Sequence, residues 1–451
     1  MRILLWHGYL LTGSGSNVYT ANTARVWRAA GHDLVLMCQE TLAGVLDYVD
    51  SEADMSADNK TFVEYPTKAV PAAGRCRVIR PNIGEILPVY VYDEYEGFAA
   101  KRFVDLTAEE LDAYVWRNVT ALVTMIHEHR PDAIIVGHEV MGPYIARLAC
   151  EATGASFTAK LHGSALEFAV KEQDRYRHYA HEGLTAAAAV VGGSHYMVAA
   201  ASAVVPGWES RAEVVNPGCD VDLFRPVERQ RAAAPLAGYV GKLIPGKGVH
   251  HFLAALGHTT TQDLRAVVVG YGGFERELKA LAYTMSTRNA EAARKIASEF
   301  SLDKLGRFFD DAPEEYWGRA AAVPVEFPGR LEHGPLAATL PAWDVLVVPS
   351  EVPEAFGMVA AEAAASGVLP IVPRHSGIGE AGAQIEKALD VAGLLTFDPA
   401  DPVDGIARRI DAILSLPYEE RRALELAASE LARREWSWET VAERLLEAAT
   451  R

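Results

Sequence analysis

The hydrophobic pattern is clearest at residues 345–372, where two apolar runs flank an alanine-rich segment. Residues 345–348 are continuously apolar, which is typical of a strand buried on both faces of a parallel sheet. A polar turn follows at 351–356, and the alanine-rich segment 357–366 predicts a helix. Residues 369–372 predict the next buried strand. This strand–helix–strand unit places its loop at the carboxyl edge of the sheet, where such folds bind ligands.

Apolar runs alternate with helix-prone segments along most of the chain, which predicts an α/β protein with parallel sheets. Further buried strands are predicted at residues 3–6, 34–37, 77–79, 133–136, 157–161, 190–194, 237–240, 265–269, 325–327 and 392–397. The acidic segment 47–60 predicts a surface loop, and 376–379 predicts a glycine-rich loop. A polar, alanine-rich stretch at 226–235 predicts a linker. Residues 439–449 predict a final helix.

Composition limits the classes of function. The chain has 451 residues, enough for two or three domains, and a net charge of −17 that disfavours nucleic acid or an anionic membrane as its main partner. Its four cysteines form no CxxC pair, so a zinc site is not expected and a reducing compartment is favoured. The chain begins directly with a predicted strand and has no long apolar run, so we expect a cytoplasmic protein without a membrane span.

Two glutamates and two lysines are candidate site residues. Glu354 lies in the loop before the alanine-rich helix, and Glu362 lies within that helix between alanines. A charge in that setting either faces solvent or is kept for a partner, because unpaired burial is costly. Lys242 and Lys247 flank a tight turn within 241–248. They form either a solvated basic loop or a clamp on a diphosphate, where an ammonium group stabilises developing negative charge.

The amino-terminal half offers a glycine-rich turn. Gly13, Ser14 and Gly15 follow the first predicted strand, and Asn17 is the expected cap of the next helix. Such a turn lets backbone amides approach a phosphate, although a flexible turn has the same composition.

Two histidines also follow predicted strands. His138 and His162 each lie just beyond a strand end, at the edge of the sheet where α/β folds bind ligands. A histidine there serves either a site or local packing.

The whole stretch from 345 to 372 resembles the donor-binding motif of the family 4 retaining glycosyltransferases, the group 1 enzymes similar to glycogen synthase and sucrose-phosphate synthase. The resemblance implies that Glu354 contacts the donor sugar and that Glu362 contacts the ribose hydroxyls. It also implies that amides at Phe356, Gly357 and Met358 hold phosphate, consistent with the attraction of a helix N-terminus for anions.

Other phrases extend the resemblance over most of the chain. The sequence around His162 is similar to a His-Gly element that lies beside the reacting sugar, and residues 13–15 match a loop that meets the donor diphosphate. Lys242 and Lys247 match the basic turn of the family, Gly272 its glycine-rich turn near the nucleotide, and Arg330 a phrase that meets the base. The helix-prone segment 286–322 departs from the family pattern, in which this connection is usually short. The sequence leaves two roles open for it, an acceptor lid or a contact in a homo-oligomer.

The resemblance implies the GT-B fold, two Rossmann-like domains facing across a cleft. The predicted domains are residues 1–218 together with a returning helix at 436–451, and residues 219–435. The implied reaction moves a sugar from a UDP- or GDP-linked donor to a small-molecule or saccharide hydroxyl with retention, through a front-face mechanism. His162, Lys247 and Glu354 are the implied catalytic residues, and no cofactor or metal is required.

Two alternatives remain from the sequence. The same fold contains nucleotide-sugar epimerases and phosphorylases, and a non-catalytic nucleotide-sugar-binding subunit would keep the same binding residues.

Overall fold

The computed structural model of the protein describes residues 1–91, 98–228 and 234–451. These residues form two compact units, called unit 1 and unit 2 below. Unit 1 is Met1–Pro217 with Trp438–Arg451, and unit 2 is Gly218–Ser437. Part of the predicted linker, residues 229–233, lies outside the described residues.

Unit 1 is built on a mainly parallel sheet. Its strands are β1 (Arg2–Trp6), β2 (Asp33–Met37), β3 (Ser51–Met55), β4 (Phe62–Pro66), β5 (Arg75–Arg80), β6 (Ile86–Val89), β7 (Ala99–Arg102), β8 (Ala133–Gly137), β9 (Thr158–Lys160), β10 (Ala189–Gly192) and β11 (Ala212–Val214). Its helices before unit 2 are α1 (Gly15–Ala29), α2 (Ala108–His129), α3 (Met141–Thr153), α4 (Asp174–Ala186) and α5 (His195–Val204). The main sheet has the order β11-β10-β9-β8-β1-β2-β5-β3-β4, and only its β3–β4 pair is antiparallel among the described strands.

Two local predictions for unit 1 are wrong. The segment 47–60 is not a loop throughout, because it contains β3, a strand next to the edge strand β4 that alternates buried and more exposed residues. The cap of α1 is Ser14, whose hydroxyl accepts the Asn17 backbone N–H at 3.4 Å. The Asn17 side chain instead bonds inward, with its amide donating to Thr12 O at 2.5 Å.

Unit 2 is built on a smaller sheet, whose described strands all pair in parallel. Its strands are β12 (Leu236–Lys242), β13 (Arg265–Tyr271), β14 (Val325–Gly329), β15 (Val345–Val347), β16 (Leu369–Pro373) and β17 (Thr396–Phe397), in the order β14-β13-β12-β15-β16-β17. Its helices are α6 (Val249–Leu256), α7 (Glu275–Ser286), α8 (Ala290–Glu299), α9 (Asp303–Asp311), α10 (Glu314–Ala322), α11 (His333–Thr339), α12 (Met358–Ala365), α13 (Ser376–Leu389), α14 (Pro402–Leu414) and α15 (Tyr418–Trp436). The expected loop at 376–379 is the first turn of α13, so that prediction is wrong.

The excursion at 286–322 is helical, as predicted, and forms α8, α9 and α10. Its aromatic side chains Phe309, Tyr316 and Trp317 are fully or almost fully buried in the core of unit 2. The Tyr316 hydroxyl donates to Ala254 O of α6 at 3.0 Å. These aromatic groups therefore stabilise unit 2 itself, and the two roles considered for the excursion stay predictions.

The chain returns to unit 1 through its last helix, α16 (Trp438–Thr450). The Trp27 indole N–H of α1 donates to Ala442 O of α16 at 3.0 Å, in the interior of the unit. Within the described ranges, the helices are too short or too polar to cross a membrane.

Candidate functional site

The strand order of unit 2 reverses beside β12, which predicts where a ligand binds. The chain runs from β12 outward to β13 and β14, then places β15 on the opposite side of β12. Loops leaving β12 and β15 therefore separate and open a crevice at their carboxyl ends, the usual ligand position in open α/β sheets. The turn with Lys247 follows β12, and the loop with Glu354 follows β15.

A cavity of about 430 Å³ lies at this point. Its volume falls within the range of small-molecule sites, about 300–1,000 Å³. Its lining contains six of the predicted site residues, namely Lys242, Lys247, Glu354, Gly357, Met358 and Glu362. Tyr239, Val240, Gly241, Leu331, His333, Leu336, Val348 and Val359 complete the lining. The sequence therefore predicted the lysines and glutamates of the cavity, and it missed Tyr239, His333 and most of the apolar wall.

An ion pair joins the two predicted halves of the site. Lys247 Nζ donates to Glu354 Oε1 at 2.7 Å, and both side chains are mostly buried. The Glu354 backbone is fixed as well, because its N–H donates to Ser376 Oγ at 3.0 Å and its carbonyl accepts the Gly377 N–H at 2.9 Å. The first turn of α13 therefore holds the loop that presents the carboxylate.

Two glycines allow the loops to come this close. Gly248 follows the lysine turn at φ 68°, and a Cβ there would lie 1.9 Å from Pro349 O. Gly357 caps α12 at φ 91°, and its Cβ would lie 2.8 Å from Ile378 Cγ1. Other residues adopt this left-handed backbone only with strain, so glycine is required twice.

The start of α12 is an anion-binding feature. The helix has no side-chain cap at Gly357 and no acidic residue in its first turn. Its first backbone N–H groups carry the positive end of the helix dipole and lack partners within the helix. Because Gly357, Met358 and Val359 line the cavity, this positive end borders the same space as Lys247.

Glu362 is a buried carboxyl group on the cavity wall. It lies on the second turn of α12 and is only 8% exposed. Burial raises its pKa to about 8, because the charged form loses hydration. His333 Nε2 lies 3.8 Å from Glu362 Oε1, beyond hydrogen-bond distance. A ligand that donates hydroxyl hydrogen bonds would stabilise the carboxylate form.

Three predicted residues of unit 2 do not line the cavity. The Phe356 side chain is buried and packs edge-on against Trp436, with ring centroids 5.4 Å apart. Gly272 packs against the backbone of Leu243, because a Cβ at this glycine would lie 2.3 Å from Leu243 O. Arg330 stacks over the Tyr271 ring and pairs with Glu332 at 2.9 Å. Roles for the Phe356 amide and for the other two residues stay predictions.

His333 is the polar wall residue that sequence reasoning missed. It begins α11, two residues after the end of the phrase 329–331 that was singled out, so its position near that phrase was the available signal.

Unit 1 has a cluster of histidines at its own reversal point. His7 follows β1 and His138 follows β8, which are adjacent strands, and His162 follows β9. The ring centroids of His138 and His162 are 4.9 Å apart, and those of His7 and His138 are 5.8 Å apart. Burial lowers the pKa of His138 and of His162 well below the usual value, so both rings are neutral near pH 7.

Glu139 and Lys160 frame this cluster. The Glu139 carboxylate accepts the His162 N–H at 2.9 Å and the Gly163 N–H, which fixes the loop after β9. Burial lowers the pKa of Lys160 to about 7, and its ammonium donates to Val215 O at 3.2 Å. The structure thus places His162 in a rigid polar centre, and its predicted role beside a sugar stays a prediction.

The predicted glycine-rich turn lies at the start of α1. Gly13 has φ 92°, and both Gly13 and Gly15 have open space where a Cβ would stand. Ser14 caps the helix. The turn is exposed, and contact of these three residues with a diphosphate stays a prediction.

Comparisons with known proteins agree with the fold. Residues 318–430 match the family model described as glycosyl transferases group 1. A D-inositol 3-phosphate glycosyltransferase of Corynebacterium efficiens is 30% identical over 216 residues, covering 45% of this chain and 43% of that protein. The chain spans about half the length of the curated relatives it matches.

Solved structures match nearly the whole length of the chain. Sucrose-phosphate synthase of Thermosynechococcus elongatus matches with a TM-score of 0.60 at 19% identity, over 99% of this chain and 97% of that one. Anabaena HepE in complex with UDP matches with a TM-score of 0.60 at 16% identity, over 99% of each chain. These matches confirm the predicted GT-B fold.

Proposed function

We propose that this chain, a member of the group 1 glycosyltransferases with the GT-B fold, transfers a sugar from a nucleoside diphosphate to an acceptor hydroxyl with retention at the anomeric carbon. The observation that carries the proposal is the Lys247–Glu354 ion pair, which lies in the cavity beside the uncapped start of α12. This arrangement presents two kinds of positive charge and one fixed carboxylate to a single ligand.

The positive groups suit a leaving diphosphate. Breaking the bond between sugar and phosphate transfers negative charge to the phosphate oxygens. Lys247, held by Glu354, opposes that charge together with Lys242 and the first amides of α12. The cavity is partly enclosed, and electrostatic stabilisation there is stronger than in water. In a front-face reaction the leaving phosphate oxygen takes the acceptor proton, so the protein needs no covalent nucleophile.

The two carboxyl groups suit the hydroxyl groups of the donor. Glu354 keeps one oxygen on Lys247, and its remaining acceptor sites are available for sugar hydroxyls. Glu362 lies one helical turn beyond the phosphate-binding end of α12 and is placed for the ribose hydroxyls. HepE was solved with UDP, which supports a UDP-linked sugar as the first donor to test.

A thermal-shift panel of UDP-, GDP- and ADP-sugars identifies the donor, because a ligand that binds only the folded state raises the melting temperature. Transfer is then measured with that donor and a panel of acceptor hydroxyl compounds. We expect Lys247→Ala to lower kcat by about 10²–10³-fold, the effect of removing one charged contact to a developing anion.

Lys279→Ala is the matched control. Lys279 also forms a 2.7 Å ion pair with a glutamate in unit 2, but it pairs with Glu275 on the surface of α7. We expect wild-type turnover in this variant. Equal turnover of Lys247→Ala and wild type would contradict the proposal.

A further inference from the structure

Unit 2 contains a second cluster of chemically active groups behind the lysine turn. His250 and His251 are adjacent on the first turn of α6 and are each 1% exposed. Glu351 lies in the loop after β15 and reaches both rings. His250 Nε2 is 3.5 Å from Glu351 Oε2, and His251 Nε2 is 3.2 Å from Glu351 Oε1. One ligand atom from each residue lies within 4.8 Å of the others.

These separations match a metal centre. Zn²⁺ binds histidine nitrogen at about 2.0–2.1 Å and carboxylate oxygen at about 2.0–2.2 Å, usually in a tetrahedron. Two ligands of such a tetrahedron are about 3.3–3.5 Å apart by geometry. The two nitrogen–oxygen distances, 3.5 Å to one oxygen of the Glu351 carboxylate and 3.2 Å to the other, lie close to that range.

The hydrogen bonding of the cluster is incomplete without a further partner. Three buried nitrogens of the two rings make no well-aligned hydrogen bond to the residues that the structure describes, namely His250 Nδ1, His251 Nδ1 and His251 Nε2. This includes His251 Nε2 although it lies 3.2 Å from Glu351 Oε1. Buried polar atoms in this state are uncommon and call for an explanation such as an ion.

One contact opposes a cation at this position. Lys304 Nζ of α9 lies 3.5 Å from Glu351 Oε1, and it also donates to Pro399 O at 3.0 Å. A metal ion would compete with this ammonium for the carboxylate. Because Lys304 has a second acceptor, it can turn away from Glu351 while keeping one hydrogen bond.

We propose that His250, His251 and Glu351 bind one Zn²⁺ ion. Two imidazoles and one carboxylate are typical zinc ligands. The Glu351 side chain is 32% exposed, so the cluster is open to solvent on the side of this carboxylate. The ion takes no part in the proposed sugar transfer.

The site connects to the loops of the cavity. The Glu351 N–H donates to Gly246 O at 2.9 Å, and the Val352 N–H donates to the same oxygen at 3.2 Å. A metal bound to α6 and to Glu351 therefore stiffens both the turn of Lys247 and the loop of Glu354.

Calorimetric titration of the full, EDTA-treated and dialysed chain with Zn²⁺ tests the proposal. We expect one ion per chain for wild type. Glu351→Gln keeps the shape of the side chain but removes the anionic ligand, and we expect affinity to fall at least about tenfold. His258→Gln is the matched control, because His258 also contacts a carboxylate, Asp404 at 3.0 Å, without a second histidine. It should bind like wild type.

Two further measurements separate a metal site from a structural ion cluster. Lys304→Ala removes the competing ammonium and should strengthen zinc binding, whereas an ion cluster gains nothing from that change. Co²⁺ should give the intense visible absorption of a tetrahedral site, and Glu351→Gln should lose it. Unfolding in EDTA checks that each variant is folded.

Absence of stoichiometric zinc binding by the wild type, or equal affinity in wild type and Glu351→Gln, would overturn the inference. No nucleotide sugar is present in these titrations, so their outcome is independent of the proposed transfer.

Discussion

Glu362 is held among alanines on α12, and burial raises its pKa from the ordinary value of 4.5 to about 8. Between those two pH values the folded state keeps a proton that the unfolded state has lost. Stability therefore falls as pH rises through this window, by at most about 1.4 kcal/mol per pH unit. Burial of Glu362 therefore lowers the stability of the folded protein near neutral pH, and a ligand that hydrogen-bonds to the carboxylate would offset this loss.

Glu362→Gln should remove this pH dependence, because the amide does not titrate. Urea unfolding of both proteins at about pH 5 and about pH 8, the two ends of the window, measures the difference in slope. Other titrating groups are common to both proteins and cancel. Parallel stability curves for variant and wild type would show that Glu362 is not held neutral.

Nucleotide binding should release a proton near neutral pH if ribose hydroxyls donate to Glu362, because those hydrogen bonds favour the carboxylate. Calorimetry in buffers of different ionisation enthalpy counts the protons released. We expect Glu362→Gln to bind the nucleotide more weakly and without that release. An unchanged proton count and affinity would remove Glu362 from the ribose site.

Sequence reasoning at this scale found the charged residues and missed their surroundings. Lys247, Glu354 and Glu362 stand out because charge beside glycine or alanine needs a reason. Tyr239 and His333 do not stand out, since their side chains reach the cavity only through the packing of β12 and α11. The sequence also did not indicate that the Phe356 side chain turns away from the cavity. It packs on Trp436, which belongs to α15, a helix distant in sequence.

The lysine turn between β12 and α6 depends on one backbone position. Gly248→Ala should cost unit 2 more than the roughly 1–2 kcal/mol of left-handed strain, because its Cβ would lie 1.9 Å from Pro349 O. Gly393→Ala is the control at φ 75°, where nothing lies within 4 Å of the added Cβ, and it should cost only that strain. Urea unfolding measures both, and equal losses would show that close packing of the turn is not required.

Strands buried on both faces were predictable, whereas edge elements were not. β1, β8, β12 and β15 are apolar runs near the middle of their sheets, and the structure confirms them. β3 lies near one edge, and its acidic residues hid its alternating pattern. The start of α13 was taken for a loop because of its glycines. In the structure Gly379 packs closely, since a Cβ there would lie 3.0 Å from Pro373 O.

Unit 1 is discontinuous in sequence, because its last helix follows unit 2 in the chain. Two neighbouring tryptophans mark the point where the chain passes from unit 2 back to unit 1. Trp436 ends α15 in unit 2 and packs on Phe356, whereas Trp438 begins α16 in unit 1 and packs on Tyr19 at 5.7 Å. The returning helix was expected from the family resemblance rather than from any local pattern. Its attachment to α1 through Trp27 could not be foreseen from either segment alone.

Replacing each tryptophan by alanine should destabilise different units, by about 3–5 kcal/mol for a buried aromatic side chain. Hydrogen exchange measured by mass spectrometry resolves the two effects. Trp438→Ala should lower protection in β1 and α1, and Trp436→Ala should lower it in α12 and α15. Loss of protection in the same segments for both variants would contradict the division of the chain at this point.

The most direct test of the account is a crystal structure of the chain with the nucleoside diphosphate selected by the thermal-shift panel. We predict that the diphosphate lies within hydrogen-bond distance of Lys247 Nζ and the first amides of α12, with the ribose against Glu362. Density for the nucleotide elsewhere, with the Lys247–Glu354 pair untouched, would contradict it.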